Sequence, residues 1–110
     1  ITMHGDGEQT RDFVYVADLC RAVILALDCD AGGEVYQIAT GVETSINRLV
    51  DIVQDVSGSN THIHKTPARH GDVRKNYSMI TKAREMLGWE PEVNLNLGLR
   101  KTWEWFVNYA

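Results

Sequence analysis

Two arginines and an aspartate are the side chains of this 110-residue chain best suited to hold a ligand. Arg11 lies in "GDGEQTRDFVYVADL", between a glycine-containing turn and an apolar run. Arg69 and Asp72 lie in "PARHGDVRKN", three residues apart with His70 and Gly71 between them. A guanidinium is a planar fork of N–H donors that matches phosphate oxygens, and it is rarely buried without an anionic partner. A carboxylate next to it suits sugar hydroxyls. Gly71 permits a backbone turn that brings Arg69 and Asp72 to one side. The same residues also have a plainer reading, with Arg11 paired to Asp12 or Asp18 and the Arg69–Asp72 loop closed by its own salt bridge. Both readings stand on the residues alone. Asp12 reads as structural, fixing the turn or the adjacent helix start, and Arg74 and Lys75 read as solvated charges.

Other chemistry is weaker. His62 and His64 are two apart, so on a strand they share a face and have ligating nitrogens, but no third ligand stands at a recognisable spacing and no metal is expected. Cys20 and Cys29 have neither CxxC spacing nor a disulfide framework. They read as packing thiols in a reducing, cytoplasmic setting. No GxGxxG loop, Gly-x-Ser-x-Gly elbow or HExxH pair occurs. Tyr15, Tyr36 and Tyr77 are followed four residues on by Leu19, Thr40 and Thr81, so none begins a Tyr-x-x-x-Lys pair. No catalytic residue and no cofactor-binding residue is therefore expected within these 110 positions.

The elements that must position the arginines follow from pattern. Residues 1–16 read as a hairpin, with a strand, a Gly-Asp-Gly turn and a second strand ending near Val16. A helix is expected from about Ala17 to Asp28, burying Leu19, Ala22, Val23, Ala26 and Leu27 at helical spacing. "AGG" at 31–33 reads as a turn and "EVYQIA" at 34–39 as a strand. A second helix follows, capped by Thr44 or Ser45 and stopped at Gly58, with Ile46, Leu49, Val50 and Val53 as its apolar stripe. "THIHK" at 61–65 reads as a short strand. The fourteen residues "TPARHGDVRKNYSM" lack periodicity, and a loop this long in a compact domain is more often functional than not. Ser78 or Thr81 then caps a short helix through Leu87, closed by Gly88. After Pro91 a last helix spans about Leu95 to Asn108, with Leu95, Leu99, Trp103 and Phe106 on one side. The fold class is α/β, a small mixed lobe of about four helices and three or four short strands.

The bulk composition is that of an ordinary globular domain, 44% hydrophobic and 24% charged. No apolar run approaches the roughly 18 residues of a membrane span, and no signal peptide is expected. The net charge of −4 argues against nucleic acid as a partner. It is unevenly spread: residues 61–87 carry six Lys/Arg against two Asp/Glu, and the remainder five against thirteen. A basic segment within an acidic domain suits a small anionic ligand. The chain opens on Ile1 within an expected strand, so we expect a fragment of a longer protein.

The segments "GDGEQTRDFVYVADL", "GGEVYQIATGVETSINRLVDIV", "PARHGDVRKNYSMITKAREMLGWEP" and "GLRKTWEWF" occur in an order that resembles the C-terminal half of the extended short-chain dehydrogenase/reductase family, the nucleotide-sugar epimerases and dehydratases. The resemblance covers nearly the whole chain. It implies that residues 1–110 form a nucleotide-sugar substrate-binding domain whose N-terminal Rossmann partner is absent. That partner would bind NAD, supply the Tyr-x-x-x-Lys pair, and mediate homodimerisation. It further implies that Arg11 contacts the diphosphate, and that Arg69 and Asp72 contact phosphate and ribose. The implied function is substrate binding in a UDP-glucose 4-epimerase-like enzyme. A dTDP-glucose 4,6-dehydratase or UDP-glucuronate decarboxylase is the alternative within the family, and a stand-alone nucleotide-binding or regulatory module the alternative outside it. The fragment alone is expected to be inactive. Three positions depart from the family pattern: His70 where proline is common, Ser78 where many members have Asp, and Asn76 where some epimerases place a tyrosine.

Overall fold

A computed structural model describes residues 1–30 and 32–110. In chain order the elements are β1 (Thr2–His4), β2 (Thr10–Arg11), α1 (Val16–Leu27), β3 (Thr44–Ser45), α2 (Ile46–Ser57), β4 (His64–Thr66), α3 (Thr81–Leu87) and α4 (Leu95–Tyr109). Among the described residues, the mixed α/β lobe of four helices and four short strands is as expected. Of the expected 31–33 turn, Gly32 and Gly33 form a turn and Ala31 lies outside the described residues.

The expected hairpin does not form. β1 runs parallel to β4, with Thr2, Met3 and His4 opposite His64, Lys65 and Thr66, while β2 pairs antiparallel with β3. The reason lies in the Gly-Asp-Gly segment. Gly5 and Gly7 both sit at φ 82°, a left-handed conformation that glycine adopts at little cost. They steer the chain away from β1 and onto the start of α2. There Asn47 N–H donates to the Gly7 carbonyl at 2.9 Å, and Asn47 Nδ2 donates to Asp6 O at 3.2 Å and Glu8 Oε1 at 2.6 Å. A Cβ on Gly7 would lie 2.1 Å from Asn47 Oδ1, so any larger residue there would have to displace the Asn47 and Met3 side chains.

The main core gathers Ala22, Ala39, Ile80, Ala83, Leu87 and Trp89, with Val14, Leu25, Tyr36 and Ile38 packed around it. Trp89 is fully buried, and its indole N–H donates to the Asp18 carbonyl at 2.9 Å. Of the face its spacing suggested, α1 buries only Ala22. Asp18 and Ala22 point inward, whereas Leu19, Val23 and Leu27 are exposed, Leu27 at 79%. The helix is apolar on both sides, so periodicity alone does not say which side its neighbours cover. α3 and Trp89 occupy the Ala22 side.

Residues 34–39 are not a strand. Tyr36 and Ile38 point inward and Val35 outward, as strand alternation requires, but among the described residues no neighbouring strand pairs with them. The caps of α2 follow expectation. Ser45 Oγ accepts from Arg48 N–H at 3.1 Å, and Gly58 ends the helix at φ 66°. α3 ends at Gly88 in the same way, but its N-cap is Ile80, with no side-chain bond. Ser78 is diverted, because its N–H faces the Asp12 carboxylate. α4 is capped by Asn94, whose Oδ1 accepts from Leu97 N–H at 3.0 Å. It lies along α2, where Leu99, Trp103 and Phe106 meet Val53 and Val56.

Candidate nucleotide-sugar site

A cleft of about 440 Å³ opens between the end of β1, β2, the start of α2 and the loop after β4. Arg11, Arg69 and Asp72 all line it, together with His4, Gln9 and His70. The three residues singled out by sequence therefore converge, although Arg11 and Asp72 are 61 positions apart. The turn that presents the second arginine is closed by Asp72 N–H donating to the Arg69 carbonyl at 3.2 Å, with Gly71 at φ 82°.

The pairing of charges is neither of those weighed from sequence. Arg11 engages neither Asp12 nor Asp18, but donates from Nη2 to Asp72 Oδ1 at 2.5 Å. Its Nη1 donates to the carbonyls of Thr10 and Val73, both at 2.7 Å. Among the described residues these bonds occupy three of the five N–H donors of the guanidinium. With Arg11 and Asp72 each about 30% exposed on their side chains, solvent reaches the pair. Arg69 does not close the loop on Asp72. Its Nη2 lies 2.9 Å from His4 Nε2, and His4 Nδ1 lies 2.8 Å from Thr66 Oγ1. Two guanidinium groups and one carboxylate thus leave the cleft with a surplus positive charge.

Structural side chains hold this arrangement. Gln9 is buried; its Nε2 donates to the His4 carbonyl at 2.8 Å, and its own carbonyl accepts from Ile46 N–H at 3.1 Å. Asp12 fixes neither a turn nor the start of α1. Its Oδ1 accepts from Thr40 N–H at 2.7 Å and Thr40 Oγ1 at 2.6 Å, and its Oδ2 from Gly41 N–H at 2.8 Å. Arg74 is more than a solvated charge. It grips both oxygens of Asp6 at 2.8 and 3.0 Å, and its carbonyl accepts from Thr10 N–H. The Arg74 bond, followed by the Glu8 N–H, holds the Asp6 carboxyl down at about 2. These contacts tether the basic loop to the Gly-Asp-Gly segment and to β2, and so place Asp72 beside Arg11.

His62 and His64 do not join a ligand set, and among the described residues no three His, Cys, Asp or Glu side chains gather as a metal requires. Cys20 is exposed, and Cys29 Sγ lies 3.9 Å from Tyr36 Oη. No helix among the described residues is long and apolar enough to cross a membrane. Sequence reasoning missed His4 and Gln9. His4 stands in no motif, and it reaches the cleft only through the pairing of β1 with β4.

Comparison with known proteins places the lobe in a family. The family model described as GDP-mannose 4,6 dehydratase matches residues 1–102. A UDP-glucose 4-epimerase of Mycolicibacterium smegmatis is 40% identical over 104 residues, covering 94% of this chain and 33% of the relative. The crystal structure of UDP-glucose 4-epimerase from Thermotoga maritima with UDP-glucose superposes with a TM-score of 0.93 at 43% identity, over 97% of this chain and 34% of that one. UDP-glucuronic acid 4-epimerase of Bacillus cereus, in complex with UDP-glucuronic acid and NAD, gives 0.90 at 29% identity, over 99% and 35%. The chain thus spans about a third of the length of the relatives it matches.

Proposed function

Because the chain belongs to the GDP-mannose 4,6-dehydratase family of extended short-chain dehydrogenases/reductases, we propose that residues 1–110 are the substrate-binding domain of a UDP-glucose 4-epimerase-like enzyme. The observation that carries this reading is the convergence of Arg11, Arg69 and Asp72, from distant segments, on one cationic cleft. In this reading Arg11 and Arg69 hold the diphosphate. Asp72, already seated against Arg11, turns its second oxygen to a ribose hydroxyl.

NAD would belong to a further domain of the protein. The residues here do not fit it, because a dinucleotide site needs a glycine-rich strand-to-helix turn. β2 reaches α1 through Asp12–Tyr15 without a glycine, and β3 runs directly into α2. Hydride transfer and its acid–base chemistry are accordingly assigned outside this chain, and this lobe contributes binding and orientation. The apolar stripe left open on α1, Val16, Leu19, Val23 and Leu27, supports packing of a further domain there. Homodimerisation through that domain, and a cytoplasmic setting, complete the proposal.

The test is titration of the protein with UDP, dTDP and UDP-glucose, followed by amide shifts. Saturable shifts at residues 9–13 and 67–76 are expected, with the uridine ligands binding more tightly. Arg69→Ala should weaken UDP-glucose binding by about tenfold or more, the loss of one charge-assisted bond. Unchanged binding in that variant refutes the assignment.

A further inference from the structure

The tautomer of His4 follows from its two neighbours. Arg69 has N–H donors and no acceptor, so the 2.9 Å contact requires His4 Nε2 to present a lone pair. The imidazole is then neutral with its proton on Nδ1. Nδ1–H donates to Thr66 Oγ1 at 2.8 Å, and the Thr66 hydroxyl donates onward to the Met3 carbonyl at 3.3 Å. The backbone of His4 is fixed on both sides, by its place opposite Thr66 in the β1–β4 pair and by the Gln9 bond to its carbonyl. Arg69 is exposed on an irregular loop, and a free arginine side chain has considerable rotamer entropy to lose on binding.

We propose that neutral His4 is a positioning residue for Arg69, holding the guanidinium at the cleft before an anionic ligand arrives, and that protonation of His4 releases it. This rests on the assignment of Arg69 to the diphosphate. Protonation would turn Nε2 from acceptor to donor and set one cation against another. Arg69 faces His4 from the loop after β4, and the Arg11–Asp72 pair and His70 face it across the larger cleft. The Asp6–Arg74 pair faces it across a smaller cavity of about 190 Å³. Each of the two carboxylates is engaged by an arginine of its own.

The test uses the full-length protein and UDP-glucose, whose phosphates are both diesterified and keep their charge over about pH 5–8, where histidine titrates. Wild-type affinity is expected to weaken about fivefold toward the acid end, the value of one modest hydrogen bond. His4→Gln supplies an oxygen acceptor that does not titrate, so it should keep the neutral-pH affinity and flatten the profile. His4→Phe removes the acceptor and should give the weaker affinity throughout. Imidazole 15N shifts at neutral pH should place the proton on Nδ1. A His4→Phe variant that binds like wild type at neutral pH, affinity that rises as pH falls, or a proton found on Nε2 would each overturn the proposal. Arg69→Ala separates the two layers of reasoning. Unchanged affinity there refutes the diphosphate role and this proposal with it, whereas lost affinity there alongside an unaffected His4→Phe refutes this proposal alone.

Discussion

Substituting Asp18 tests the account of how the lobe is held together. Its carboxylate is 2% exposed at the start of α1. Oδ1 accepts from Arg21 Nη2 at 3.0 Å, and Oδ2 accepts from the N–H groups of Glu92 and Val93 at 3.1 and 3.0 Å. Burial by itself would raise the pKa of this carboxyl. The Val93 N–H, Arg21 and Glu92 N–H outweigh that effect and leave it below its ordinary 3.8. In Asp18→Asn the amide oxygen can keep both backbone bonds, but the NH₂ then faces the guanidinium, donor against donor. Loss of one charge-assisted bond and weakening of two others should cost about 1.5–3 kcal/mol. Asp18→Ala leaves the Glu92 and Val93 N–H groups without their acceptor, while Arg21 keeps the Glu90 carbonyl and the Glu92 carboxylate, and should cost about 2–5 kcal/mol. Urea denaturation at pH 7 reads both differences. Because the folded pKa lies below the unfolded value near 3.9, the stabilisation is fully present above that pH and is lost as pH falls through the folded value. The gap between wild type and Asp18→Asn should therefore narrow below about pH 4. An Asp18→Asn variant within about 0.5 kcal/mol of wild type at pH 7, the range of an ordinary surface change, would refute the reasoning, as would a gap indifferent to acid.

Three further outcomes are expected. Gly7→Ala places a Cβ 2.1 Å from Asn47 Oδ1 and 2.6 Å from Met3 Sδ at a positive φ, and should cost about 2–5 kcal/mol. Gly58→Ala, also at positive φ but in open space, should cost only about 1–2 kcal/mol, so thermal denaturation of the two separates clash from backbone strain. Asp12→Asn turns an NH₂ toward either the Thr40 or the Gly41 donors and should cost about 2 kcal/mol, with hydrogen exchange accelerated at Thr40, Gly41 and Ser78. Arg74→Ala should raise the Asp6 carboxyl from about 2 toward 3.8, short of the full distance because the Glu8 N–H remains, as an NMR pH titration of the carboxyl would read.

What was legible in the sequence was local. The Ser45 cap, the Gly58 and Gly88 stops and the helical runs of α2 and α4 are written within a few residues of where they act, and the structure follows them. Strand pairing is set by distant residues, which is why "ITMHGDGEQTRDFV" read as a hairpin although β1 finds its partner more than 60 positions away. "EVYQIA" has the right residue types and the right alternation but no neighbour to complete a ladder. α1 offers two apolar faces, and only the placement of Trp89 decides between them. The site divides in the same way. Arg11, Arg69 and Asp72 were recognisable by type and motif. Their exchange of partners was not, because Arg69 and Arg74 both lie within three residues of Asp72 in sequence, whereas the arginine that pairs with it in space is Arg11. His4 belongs to no motif, and only the register of β1 against β4 brings it to Arg69.

That parallel pairing also has a kinetic consequence. β1 is made well before β4, so its ladder closes only after His64–Thr66 has emerged, and the Arg11–Asp72 contact spans a similar stretch. Contacts this distant along the chain carry a loop-closure cost before they return any stability, so they form slowly and late. The helices can assemble early from nearby residues. Until residue 66 has emerged β1 lacks its β4 partner and presents an open edge that other chains can reach, and the cleft waits further for Asp72.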